Sequence, residues 1–75
     1  MTVTIFTGVA PTPGFDINVR QGDWHVGVFI PEEEYRANKI RTIEKAVTGI
    51  CQTRGCPINS GALFRAVCQK IERSL

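Results

Sequence analysis

Three cysteines are the residues of this chain whose type and spacing most readily suggest chemistry, either at a zinc site or in a disulfide. Cys51 and Cys56 are separated by four residues and Cys68 lies well beyond them, so the C-x2-C spacing of common zinc sites is missing. Cys51 and Cys68 fall on apolar helical stripes, where a thiol acts as a small hydrophobe. The CQTRGC stretch could close a small disulfide if oxidised. Because the number of cysteines is odd, we expect reduced, metal-free thiols in a reducing compartment.

The single histidine and a run of glutamates have structural explanations. His25 lies in the middle of a predicted strand, with no serine nearby in sequence to act as a nucleophile. Glu32, Glu33 and Glu34 follow Pro31, where a helix is predicted to begin and negative charge complements its dipole. No P-loop and no dinucleotide-binding glycine motif is present. We therefore expect no enzymatic activity, no catalytic residues, no metal site and no cofactor.

Length and composition are those of one small folded domain. The chain has 75 residues, of which 43% are hydrophobic and 21% charged, enough for a single modest core. No apolar run is long enough to cross a bilayer, and the first residues lack the charged and apolar regions of a signal peptide. We therefore expect residues 1–75 to form one cytoplasmic domain that does not bind membranes.

The elements that must position these side chains are predicted from hydrophobic periodicity. Alternating apolar residues indicate three strands within residues 1–30, and their short connections favour an antiparallel meander. Residues 31–75 show helical periodicity in two segments separated by Gly55 and Pro57. The predicted fold class is α+β in the order β-β-β-α-α, with both helices packed on one face of the sheet. The expected core combines one face of the sheet with the apolar stripes of the helices. The sheet residues are Val3, Ile5, Phe15, Ile17, Val19, Trp24, Val26, Val28 and Ile30, and the helix residues are Tyr35, Ile40, Ile43, Val47, Ile50, Leu63, Phe64, Val67, Cys68, Ile71 and Leu75.

A three-stranded sheet covered on one face by helices leaves its other face without a covering layer. That second face is predicted to carry two phenylalanines among polar side chains, and exposed aromatic patches usually mark interfaces. We therefore expect the chain to bind a partner through this face. The predicted partner-binding residues are Phe6, Asp16, Asn18, Arg20, His25 and Phe29.

An uneven distribution of charge leaves a second interpretation open. The first 34 residues carry one basic and five acidic side chains, whereas the rest carry eight basic and two acidic ones. The basic helices could hold phosphates, or the aromatic sheet face could stack bases, in a small nucleic-acid-binding or transcription-regulating protein. The helix residues for this alternative are Arg36, Lys39, Arg41 and Lys45. Against it, the aromatic and basic residues fall in different layers, whereas a single-strand binder needs them together.

The stretch VTIFTGVAPTPGFDINVRQG, from Val3 to Gly22, combines a threonine- and valine-rich strand, a loop with proline and glycine, and the strand FDINV. With WHVGV as the next strand, it resembles the opening of several very short phage-encoded anti-CRISPR proteins. The resemblance covers about the first 30 residues and assigns no role to any single residue. It implies a non-enzymatic inhibitor that binds a CRISPR surveillance complex or nuclease of the host cell.

The expected partner is therefore a host protein complex, with nucleic acid as the alternative. Phage inhibitors of nucleic-acid machinery often present acidic surfaces to basic channels, and Asp16, Asp23 and residues 32–34 could serve in this way. The opposite charges of the two halves also suggest self-association, for which a closed two-fold dimer is the usual form. The sequence leaves a monomer and a homodimer open.

Overall fold

The computed structural model describes residues 1–8 and 12–74, which form three strands followed by three helices. The strands are β1 (Thr2–Gly8), β2 (Gly14–Gln21) and β3 (Trp24–Pro31). The helices are α1 (Glu32–Ala37), α2 (Lys39–Cys51) and α3 (Ser60–Ser74). The predicted α+β order, an antiparallel meander followed by helices, is confirmed. Val9, predicted at the end of the first strand, and Leu75, predicted in the core, lie outside the described residues.

The sheet has the strand order β1-β2-β3, with both pairs antiparallel. A two-residue turn of Gly22 and Asp23 joins β2 to β3, and Gly22 adopts a φ of +60°. Such turns need left-handed backbone, which glycine adopts without a steric penalty. This tight turn fixes the register of β2 against β3.

The helices cover one face of the sheet, where the alternating apolar side chains of all three strands lie. Helix α3 packs near β1 and α2 packs near β3. The ring of Phe15 from β2 meets the ring of Tyr35 from α1 edge to face, with centroids 5.2 Å apart. The buried side chains of this core are Val3, Phe15, Ile17, Val19, Ile30, Tyr35, Ile43, Ala46, Val47, Ile50, Leu63, Val67 and Ile71.

The first predicted helical segment is divided at Asn38, a break that the periodicity did not reveal. Asn38 has extended backbone, with φ −158° and ψ 94°, and its side chain accepts a hydrogen bond from the Arg41 backbone N–H at 3.1 Å. Its own N–H donates to the Glu34 carbonyl at 3.2 Å, which closes α1. An asparagine side chain competes for backbone groups in this way, so it favours a cap over a helix interior.

One predicted core position is wrong, and six are only partly right. The six half-buried residues are Ile5, Trp24, Val26, Val28, Phe64 and Cys68. Ile40 is 55% exposed instead of buried. At 100° per residue it lies about 70° from the centre of the buried stripe of α2, in the first turn. Trp24 is half-buried, because it begins the edge strand β3 and contacts the core from its margin. The buried stripe of α2 consists of Ile43, Ala46, Val47 and Ile50.

The helices of the structure are short. Within residues 1–8 and 12–74, none combines the length and apolar character that crossing a membrane requires.

Candidate functional site

All six residues predicted to bind a partner lie together on the sheet face that no helix covers, hereafter the open sheet face. The strand register arranges this face in cross-strand rows, three of which contain the predicted residues or lie between them. Direct neighbours in such a row stand close enough to act as one surface. From one end of the sheet, the rows are Thr2–Arg20–His25, Thr4–Asn18–Gly27 and Phe6–Asp16–Phe29.

The row Phe6–Asp16–Phe29 places a carboxylate between two aromatic residues. Phe6 is 59% exposed on β1 and Phe29 is 42% exposed on β3, while Asp16 lies between them on the central strand. Since adjacent strands are about 4.8 Å apart, the two aromatic residues are anchored roughly 10 Å from each other. Asp16 is exposed and has no hydrogen bond or ion pair within the described part of the chain. The row thus exposes two apolar groups and one unpaired negative charge.

The two rings differ in how firmly they are held. Phe29 lies over Gly14 on the neighbouring strand, and a Cβ placed on Gly14 would be only 2.7 Å from Phe29 Cε1. Gly14 is itself buried beneath this contact. Phe29 is therefore supported by the sheet, whereas Phe6 has the larger exposed fraction.

Two shallow hollows lie on the open sheet face, with Asn18 lining both. One, of about 500 Å³, has a mixed charge because Arg20 and Asp23 both line it, together with His25. The other, of about 420 Å³, lies above Gly27, and Asp16 contributes its only charged group. Gly27 has no side chain to fill this second hollow. A Cβ at that position would lie in the hollow, 3.1 Å from Asn18 Oδ1.

The four basic residues of the nucleic-acid alternative do not converge on one surface. Arg36 forms a 2.6 Å ion pair with Glu32, and Lys39 Nζ lies 5.9 Å from the centroid of the Tyr35 ring. Arg41 and Lys45 are one turn apart on the outer face of α2, where Glu44 lies with them along a broad depression. These side chains belong to the helical layer, on the other side of the sheet from Phe6. At the β3 edge, Lys45 and Phe29 line one small hollow of about 200 Å³.

The cysteines are free thiols, and two of them meet at one backbone carbonyl. Cys51 Sγ and Cys56 Sγ donate to the Ile58 carbonyl oxygen at 4.0 and 3.8 Å. Burial raises the pKa of the Cys51 thiol, and the neighbouring Cys56 adds to the shift. Burial also raises the pKa of Cys68, with a further contribution from Glu72. In residues 1–8 and 12–74, no group of three or more His, Cys, Asp and Glu side chains is placed to hold a metal ion.

Sequence reasoning missed the contribution of Gly14 and Gly27 to the open sheet face. Both are glycines within predicted strands, where the absence of a side chain often marks a close approach of another group. Gly14 accommodates the ring of Phe29, and Gly27 forms the floor of a hollow. The glycine in WHVGV was the available signal, but its neighbour across the strands depends on register.

The open sheet face is an exposed surface of mixed chemistry. It combines aromatic, acidic and basic side chains on shallow relief, and none of the described polar or charged residues is buried. Enclosure of a small substrate normally needs a deeper and more apolar cavity. No family model, no curated protein and no solved structure matches this chain.

Proposed function

We propose that this protein is a non-enzymatic inhibitor that binds a host protein complex through its open sheet face, in the cytoplasm of a bacterial cell. The row Phe6–Asp16–Phe29 is the observation that carries this proposal. Exposed aromatic residues on an uncovered sheet are a common mark of an interface. Aromatic side chains also tend to dominate binding energy when they are buried at its centre.

A CRISPR surveillance complex or nuclease is the partner that best fits the sequence. The resemblance of Val3–Gly22 to phage-encoded anti-CRISPR proteins supports this choice, and the small α+β fold is compatible with it. Such complexes hold nucleic acid in basic channels, to which acidic side chains are complementary. Asp16 and Asp23 are exposed and supply negative charge at or beside the open sheet face.

The experiment is a phage interference assay in bacteria with an active CRISPR system. Cells that express the protein are infected with a phage that the system targets and with one that it does not target. We expect expression to raise the plaquing efficiency of the targeted phage alone. Unchanged plaquing across representative CRISPR types would overturn the anti-CRISPR assignment.

Variants of the exposed aromatic residues test the surface. Replacing Phe6 and Phe29 together by serine should weaken partner binding by about 2 kcal/mol or more, roughly 30-fold in affinity. Ile40→Ser is the matched control, because Ile40 is similarly exposed but lies on the helical layer. Equal losses in the control and the double variant would contradict a role for the open sheet face.

Nucleic-acid binding remains the second candidate, and one observation favours it. Arg41 and Lys45 share the outer face of α2, where they could contact a phosphate backbone. Affinity purification from a bacterial lysate, with and without nuclease, separates the two candidates. A protein partner that survives nuclease treatment supports the inhibitor, whereas loss of all partners supports nucleic-acid binding.

A further inference from the structure

We propose that the hollow above Gly27 receives an arginine side chain of the partner protein. This inference rests on the proposed function and specifies the chemistry that the open sheet face recognises. The hollow lies between β2 and β3, and its lining residues are Asp16, Ile17, Asn18, Gly27, Val28 and Phe29.

Two acceptors in the hollow suit a guanidinium group. Asp16 and Asn18 are two positions apart on one face of β2, so their Cα atoms are about 7 Å from each other. The Asp16 carboxylate is exposed and has no ion pair within residues 1–8 and 12–74. Asn18 Oδ1 lies near the Gly27 backbone, 3.1 Å from the position of an added Cβ. A guanidinium carries five donors on a planar fork and can therefore bond to a carboxylate and an amide oxygen together.

The rest of the hollow suits the aliphatic stem of an arginine. Because Gly27 has no side chain, its backbone forms the floor of the hollow, and Phe29 forms an apolar wall beside it. Because the Phe29 ring is supported by Gly14, this wall is in place before a partner arrives. Arginine packs its methylene groups along apolar surface while its charged end makes polar contacts.

The chain's own arginine on this face does not occupy the hollow. Arg20 lies beyond Asn18 on β2 and lines the other hollow, together with Asp23 and His25. A positive charge that neutralises Asp16 must therefore come from another molecule. That molecule could also be a second copy of the chain, whose Arg20 would supply the guanidinium.

The test is an NMR titration of the isotope-labelled full chain with the peptide Ac-Gly-Arg-Gly-NH2. The neutral peptide Ac-Gly-Gln-Gly-NH2, at matched ionic strength, is the reference ligand. We expect saturable shifts of the Asp16, Asn18 and Gly27 amides with the arginine peptide and none with the glutamine peptide. Equal responses to the two peptides, or no response at these amides, would overturn the proposal.

Three variants locate the interaction. Asp16→Asn removes the negative charge of the hollow, and Gly27→Val fills the hollow with a side chain. Each should abolish the arginine-dependent shifts, while a dispersed NMR spectrum shows that the variant is still folded. Asp23→Asn removes a charge outside the hollow and should preserve them. If Asp16→Asn responds like the unmodified chain, the assignment is wrong.

Sedimentation of the unmodified chain distinguishes a second copy from a different partner. We expect a monomer at the concentrations of the titration. A dimer that Asp16→Asn dissociates would show that a second copy of the chain covers the hollow, and would overturn the proposal. If the chain does not bind the arginine peptide but still protects the targeted phage in cells, the arginine site is wrong and the proposed function stands. This inference and the proposed function can therefore fail separately.

Discussion

The ring of Phe29 lies over Gly14, so close that glycine is the residue the position accommodates without rearrangement. A Cβ at residue 14 would be 2.7 Å from Phe29 Cε1 and 2.5 Å from the Ile30 carbonyl oxygen. The contact joins the central strand to an edge strand on the face that no helix covers. It supports one of the two aromatic side chains that we propose to meet a partner.

Replacement of Gly14 by alanine should therefore displace Phe29 and destabilise the sheet. Overpacking of this kind typically costs about 1–3 kcal/mol, measurable as a lower midpoint of chemical unfolding. Gly8→Ala is the control, since a Cβ at Gly8 meets no atom within 4 Å. A Gly14→Ala protein as stable as the Gly8→Ala protein would show that the Phe29 ring does not depend on Gly14.

Substitution of Trp24 by phenylalanine should leave stability unchanged or raise it by about 1 kcal/mol. The Trp24 indole Nε1 is buried and has no acceptor in the described part of the chain. A buried donor without a partner costs free energy, which phenylalanine avoids while it keeps most of the apolar contact. Thermal unfolding of the two proteins measures the difference. A loss of several kcal/mol would indicate that the indole ring is fully part of the core.

Stability should fall as the pH rises above about 9. Burial raises the pKa of Tyr35 above its ordinary value of 10.0, and burial raises the pKa of Cys51 and Cys68 above 9.0. The folded chain therefore holds these protons more tightly than the unfolded chain. Their stabilising contribution is complete below the unfolded-state pKa values and is lost as pH rises through the folded-state values.

Urea unfolding between pH 7 and 10.5 measures this pH dependence. Tyr35→Phe, with Cys51 and Cys68 changed to alanine, removes the three groups and should flatten the decline. A decline of the same slope in this variant would assign the effect to other residues.

The three cysteines should be reduced and free of metal in freshly lysed cells. Mass spectrometry after rapid alkylation should find three modified thiols, and elemental analysis should find no zinc. The raised pKa of Cys51 and Cys68 should also slow their alkylation at pH 7, because the thiolate is the reactive form. A bridge between Cys51 and Cys56 under these conditions would contradict the prediction.

Charge reversal of Arg41 and Lys45 to glutamate should leave partner binding through the open sheet face nearly unchanged. Both side chains lie along the outer face of α2 in the helical layer, although Lys45 also lines a small hollow with Phe29 at the β3 edge. The nucleic-acid alternative predicts the opposite result, a large loss of affinity and steep salt dependence in the unmodified chain. Binding measured at two salt concentrations for both proteins decides between them.

The sequence by itself determined the fold class and the membership of the open sheet face. Alternation with a period of two assigns each strand residue to a face regardless of how the strands pair, so Phe6 and Phe29 could be placed together. The same logic assigned Asp16, Asn18 and Arg20 to that face. Local turn and cap chemistry, as at Gly22, then limited the strands to a meander.

The tertiary structure alone decided which of these residues are neighbours. Strand register places Asp16 between Phe6 and Phe29, and it sets Gly27 beside Asn18. Register is a property of two chain segments together, so neither strand contains it by itself. The carbonyl shared by Cys51 and Cys56 likewise depends on how the chain folds back after α2. Local periodicity determines orientation, whereas the neighbours that create a site depend on contacts between segments distant in sequence.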